Sequence, residues 1–146
     1  EGMLLIAPAG IGLEIDSGFI RGMANATTPG EIAHLLRRLS RDLALSSTAI
    51  EHIAKQMRQR RLTALAEDVI GASGQRIDVL PRLAELSRRM PVRVVVGLED
   101  RIIPWQQITA LPPSVAVHLM GRSGHMPQWD QTGDLLGILC GPEPGD

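Results

Sequence analysis

Residues 92–104 read VRVVVGLEDRIIP. The first half, Val92 to Gly97, is an apolar run rich in β-branched side chains, interrupted only by Arg93 and closed by a glycine. A strand of that kind is buried on both faces, as strands of parallel sheets are. The second half turns polar at once, through Glu99, Asp100 and Arg101, before Ile102-Ile103-Pro104. In parallel sheets, ligands and catalytic groups gather at the carboxyl ends of strands. An acidic loop placed directly after such a strand is therefore a candidate site.

Two further runs have the same character. MLLIAPAG (3–10) is an apolar stretch closed by Pro8 and Gly10, and VAVHLM (115–120) is another. Helical patterns separate them. Residues 79–89 place Leu83 and Leu86 inward and end at Pro91. PWQQITAL suggests a helix opened by Pro104. PQWDQTGDLLGILC (127–140) predicts one closing amphipathic helix with Leu135, Leu136 and Leu139 on a single face. IGLEIDSGF (11–19) reads as an irregular loop.

Residues 28–71 predict a helical insert without a strand. Thr28-Pro29-Gly30-Glu31 combines a cap, a proline at the first helical position and a capping-box glutamate. Ile32, Leu35, Leu36 and Leu39 follow on one face. A second capping box, Thr48 to Glu51, introduces Ile50, Ile53, Ala54 and Met57. Leu62, Leu65, Ala66, Val69 and Ile70 form a third stripe, stopped by Gly71 and Gly74. Arg58, Arg60 and Arg61 between these stripes read as a solvated face. The expected fold class is α/β. It has a short parallel sheet of about three strands in a single domain over 1–146, with a helical insert over about 28–71.

Composition narrows the function. The chain has 146 residues, 44% hydrophobic and 21% charged, with net charge −1. This is a soluble globular composition with no electrostatic case for nucleic acid or an anionic membrane. Phe19, Trp105 and Trp129 are the only aromatics, so base stacking has little to work with. One cysteine, Cys140, excludes an internal disulfide and a thiolate metal site, fits a cytoplasmic location, and is expected at a buried helix position. No apolar run reaches the length of a membrane span. The opening apolar run lacks a basic n-region and reads as a strand rather than a signal peptide.

RSGHMPQWD (122–130) follows the third strand and carries His125. An acid at one strand end and a histidine at the next can meet side by side. The carboxylate then fixes the imidazole tautomer and stabilises the imidazolium formed when the ring takes a proton. Asp100 and His125 are therefore the candidate catalytic pair. The competing readings are a turn or cap role for Asp100 and a turn role for His125. Ser73 and Ser123 lie beside glycines and read as turn residues, not nucleophiles. His34, His52 and His118 read as structural. Trp105 and Met126 flank the two loops, either lining an apolar acyl pocket or simply packing.

GLEDRIIP (97–104) followed by GRSGHMPQ (121–128) resembles the acid and histidine loops of the α/β-hydrolase fold. In that fold the triad runs Ser, then Asp or Glu, then His along the chain. The resemblance covers nearly the whole chain and matches the C-terminal half of the fold, with the helical insert in the place of its cap. LLIAPAGIGLEIDSGFIRGM, taken with these loops, resembles the hydrolase-type domain of dihydrolipoamide acetyltransferases from acetoin dehydrogenase complexes. The APAG-G-EI loop is the distinguishing part, because many esterases and C–C bond hydrolases share the other two. The resemblance implies acyl transfer, no bound cofactor, a lipoyl group as acyl acceptor, and acetoin dehydrogenase subunits as partners. The fold's nucleophile motif, G-x-S-x-G, occurs nowhere in the 146 residues, nor does a lipoyl-bearing lysine segment. The chain is therefore expected to be inactive alone. A fragment of an esterase or C–C hydrolase, or a non-enzymatic oligomeric module, is the alternative. The first strand lacks the neighbour it has in the complete fold. A homo-oligomer covering the Leu4 to Ala7 edge, most simply a two-fold dimer, is expected.

Overall fold

The computed structural model describes residues 2–40, 43–60 and 62–140, with residues 58–60 described by backbone alone. The arginine cluster at Arg58, Arg60 and Arg61 thus lies outside the described side chains.

β1 (Met3–Ile6), β4 (Val92–Gly97) and β5 (Val115–Met120) form one parallel sheet in the order β1-β4-β5. Met3 pairs with Val92 and Ile6 with Val95, while Val92 to Gly97 pair in step with Val115 to Met120. Both faces of the central strand are covered, which is why its sequence does not alternate. Val92, Val94 and Val96, with Val115, pack against Leu83 of α5 (Leu80–Leu86) and against Trp105 and Ile108. On the opposite face Val95 and Met120 meet Leu135 and Ile138 of α7 (Thr132–Cys140). Val94 and Val95 are fully buried, and such burial contributes about 1.5–3 kcal/mol per side chain.

The segment between β1 and α5 is mostly helical. α1 (Ser17–Asn25) occupies part of the stretch expected to be a loop. Its signal is local: the Asp16 side chain caps the helix by accepting the Phe19 N–H at 2.9 Å. Gly18 and Gly22 dilute the apolar stripe that would otherwise have marked it. α2 (Pro29–Leu36) starts at the expected capping box, with Thr28 and Glu31 exchanging hydrogen bonds. α3 (Ser47–Arg60) is capped by Ser46, which accepts the Ala49 N–H at 3.2 Å, and not by a box at Thr48. Ile32, Leu36 and Ala54 form the core between α2 and α3.

α4 (Thr63–Val69) ends one residue before the expected stripe does. Ile70 instead opens β2 (Ile70–Gly71), which pairs antiparallel with β3 (Gly74–Gln75). The insert is therefore not free of strands. Gly74 has φ +129°, and a Cβ there would lie 2.1 Å from the Leu13 carbonyl oxygen. This contact pins the hairpin on the loop after β1.

Two further helices differ from expectation. Trp105–Ala110 is a 3-10 helix. The closing segment breaks at Gln131 into α6 (Pro127–Asp130) and α7. Because Leu135 and Ile138 face the sheet, Leu136 and Leu139 turn outward and are about half exposed. Cys140, two residues past Ile138, is exposed rather than buried. Among the described residues no helix is long and apolar enough to cross a membrane.

Candidate active site

Asp100 and His125 stand at the carboxyl ends of the adjacent strands β4 and β5. The strand ladder continues past both ends: Leu98 N–H donates to Met120 O at 3.0 Å and Glu99 N–H to Ser123 O at 2.9 Å. Where the loops cross, Gly97 leaves no room for a side chain. A Cβ there would lie 2.1 Å from the Gly124 carbonyl oxygen and 2.2 Å from that of Ser123.

Asp100 makes the contacts of a turn residue and also reaches the histidine. Its Oδ1 accepts the N–H groups of Ile102 and Ile103 at 2.7 and 3.0 Å, as a turn aspartate does. Its Oδ2 lies 2.8 Å from His125 Nδ1. The Asp100 side chain is 2% exposed and that of His125 19%. Ile102 and Ile103 are themselves buried with Phe19 of α1, and Asp16 N–H donates to Ile102 O at 2.8 Å. The acid is therefore anchored through its backbone to the helix after β1. A carboxylate oxygen facing Nδ1 requires the ring proton on that nitrogen. The lone pair of the neutral ring is then on Nε2.

The other candidates fall into place around this pair. Ser123 is fully buried, and its hydroxyl donates to Gln131 Oε1 at 3.0 Å, so it has a structural partner and no access to substrate. Ser73 is exposed at the hairpin turn. It lines an open groove of about 630 Å³ together with Asp16, Asp100, Ile102 and Trp105. Trp105 thus packs on the core and also lines this groove. The Met126 sulfur accepts from Gln128 Nε2 at 3.4 Å. His34 lies 3.4 Å from Arg37 and His52 2.8 Å from Gln56, both on helix surfaces, and His118 is half-buried on β5. Among the described residues no group of three or more His, Cys, Asp or Glu side chains is placed to hold a metal.

Sequence reasoning passed over several residues that hold the site. Gln75 is buried and bridges the loop after β1, accepting from Gly10 N–H at 3.0 Å and donating to Gly12 O at 2.8 Å. Arg38 pairs with Asp16. Asp130 accepts the Gly124 N–H at 2.7 Å. Asp130 lies five residues after His125, and that spacing was the available signal.

No family model matches the chain. In an alignment that covers 92% of its length, it is 30% identical to the dihydrolipoyllysine-residue acetyltransferase component of the acetoin cleaving system of Cupriavidus necator. The alignment spans 37% of that relative. Among solved structures it superposes on a meta-cleavage product hydrolase from Pseudomonas fluorescens with a TM-score of 0.70 and 21% identity, covering 96% of this chain and 54% of that one. Carboxylesterase CesB from Bacillus subtilis gives a TM-score of 0.69 and 17% identity, covering 98% and 52%. The chain thus spans about half the length of these enzymes and little more than a third of the acetyltransferase component. A three-stranded parallel sheet, an acid loop and a histidine loop at neighbouring strand ends, and these superpositions together establish that the chain has the α/β-hydrolase fold over about half of that fold's extent.

Proposed function

We propose that the chain supplies the acid and the general base of a serine-type acyl-transfer site, and that dihydrolipoyl acetyl transfer is its chemistry. The observation that carries this reading is the 2.8 Å contact between Asp100 Oδ2 and His125 Nδ1 at the end of a parallel sheet. In this reading His125 Nε2 takes the proton of a nucleophile as it attacks an acyl carbon and returns it to the leaving group. Asp100 holds the tautomer and stabilises the imidazolium. The nucleophile comes from a G-x-S-x-G segment outside these 146 residues, placed along β1. The acceptor is the thiol of a dihydrolipoyl group presented by a partner, and the partners are subunits of an acetoin-cleaving complex. The helical segment over 28–71 serves as the cap above the site. The resemblance of the acetoin-system component supports this choice of acceptor. Ester or C–C bond hydrolysis on the same dyad is the second reading, favoured by the superpositions on such hydrolases.

The test is complementation. Alone, the purified chain is expected to hydrolyse p-nitrophenyl acetate no faster than its His125→Ala variant. Mixed with a nucleophile-bearing half taken from the acetyltransferase relative, it is expected to gain acetyl transfer to dihydrolipoamide. That gain should fall by at least about a thousandfold in His125→Ala. Turnover by the chain alone that needs His125, or complemented turnover that does not, refutes the assignment. Ester hydrolysis without transfer to dihydrolipoamide selects the second reading.

A further inference from the structure

His125 is held from a direction that the triad chemistry does not use. On its N-terminal side, Gly124 N–H donates to Asp130 Oδ2 at 2.7 Å. On its C-terminal side, Met126 N–H donates to Leu39 O at 2.9 Å. Asp130 Oδ1 in turn accepts the hydroxyl of Ser40, 90 residues away in sequence and 5% exposed. A Cβ on Gly124 would lie 3.0 Å from Leu39 O, so the histidine loop and the end of the α2 segment are in close backbone contact. The His125–Met126 peptide is thus tied to residue 39, and the Ser123–Gly124 peptide, whose carbonyl accepts from Glu99 N–H, is tied by its N–H to Asp130 of α6.

We propose that Asp130 and Ser40 are positioning residues for His125, through which the helical insert sets the imidazole against Asp100. The proposal rests on the reading of Asp100 and His125 as a working dyad. An aspartate suits this place because Gly124 and Ser40 both donate to it: a backbone N–H on one oxygen and a hydroxyl on the other. A carboxylate accepts both, whereas an alanine leaves a buried N–H and a buried hydroxyl without their acceptor. A displacement of residues 39–40 also moves the His125–Met126 peptide bonded to Leu39 O and the Asp130 carboxylate bonded to Ser40.

Nitrogen-15 NMR of the 146-residue chain tests this through the His125 Nδ1 ring proton. Bonded to Asp100, this proton is expected far downfield and slow to exchange with water. Asp130→Ala should raise its exchange rate at least about tenfold, the effect expected from losing even the Gly124 hydrogen bond to a charged group alone. Amides of β4 should keep their protection. Ser40→Ala should raise it less, in the same direction, and decides the matter if Asp130→Ala does not fold. Asp100→Asn is expected to abolish the slow proton. A proton that stays slow in Asp100→Asn overturns the dyad itself, and the proposal with it. A proton lost in Asp100→Asn but unmoved in Asp130→Ala and Ser40→Ala overturns the positioning role alone. A rise matched by equal loss of β4 protection also overturns it, since the effect is then general destabilisation.

Discussion

A single methyl group at Gly97 would separate the dyad. The Cβ would overlap two backbone carbonyl oxygens of the histidine loop, and backbone cannot swing aside as a side chain end can. Gly97→Ala must push the loop bearing His125 away from the loop bearing Asp100. The expected result is loss of the slow His125 ring proton and a drop of several degrees in melting temperature, of the order of 4 °C or more. An unchanged ring-proton spectrum in Gly97→Ala would show that the loops can part without breaking the pair. The placing of Asp100 beside His125 was legible in the sequence because each lies on a loop that follows an apolar run directly, so the strand end fixes where the loop starts. Asp130, Ser40 and Gly97 act through partners 6 to 90 residues away or through backbone crossing. No local pattern encodes such a partner.

Elements were legible where their own residues close the argument. β4 and β5 match their apolar runs to the residue, and α2 begins at its capping box. Two glycines thin the apolar stripe of α1, and the apolar pattern of the closing segment runs on across Gln131, where the backbone leaves the helix (φ −141°, ψ 59°) and the side chain accepts the Ser123 hydroxyl. The capping box of α2 also carries a pH signature. The Glu31 carboxylate accepts N–H bonds from Thr27 and Thr28 at 2.8 and 3.0 Å. Those bonds, Thr27 first, hold its pKa below the ordinary 4.5. A folded value below the unfolded one stabilises the protein above the unfolded pKa, and that stability is lost as pH falls through the folded value. Glu31→Gln is therefore expected to melt lower than the parent at neutral pH, with the gap closing in acid below pH 4.5. A gap that is constant with pH, measured by thermal melts, would mean that the charge of Glu31 contributes nothing.

At the scale of the whole molecule, the sheet has two edges that differ in how they meet solvent. Among the described residues β1 pairs only with β4, and Ile6 at its end is 37% exposed. The far edge is β5, where Leu119 is 49% exposed, and on the neighbouring helix Leu136 and Leu139 are also about half exposed. Sequence reasoning found the strands but not this second apolar surface, since the facing of α7 depends on how it docks. Unpaired strand edges recruit other chains, and exposed apolar patches mark interfaces. The isolated chain is expected to sediment at micromolar concentration as a dimer paired through β1. Ile6→Lys puts a charge on that edge and should return it to a monomer, whereas Leu119→Lys should leave the dimer intact. The reverse pair of results would assign the interface to β5 and α7. A monomeric parent chain would overturn both. A nucleophile-bearing half that docks along β1 must compete with this dimer. Acetyl transfer on complementation should then rise as the dimer peak falls, and a dimer that persists at full activity would place the second half elsewhere.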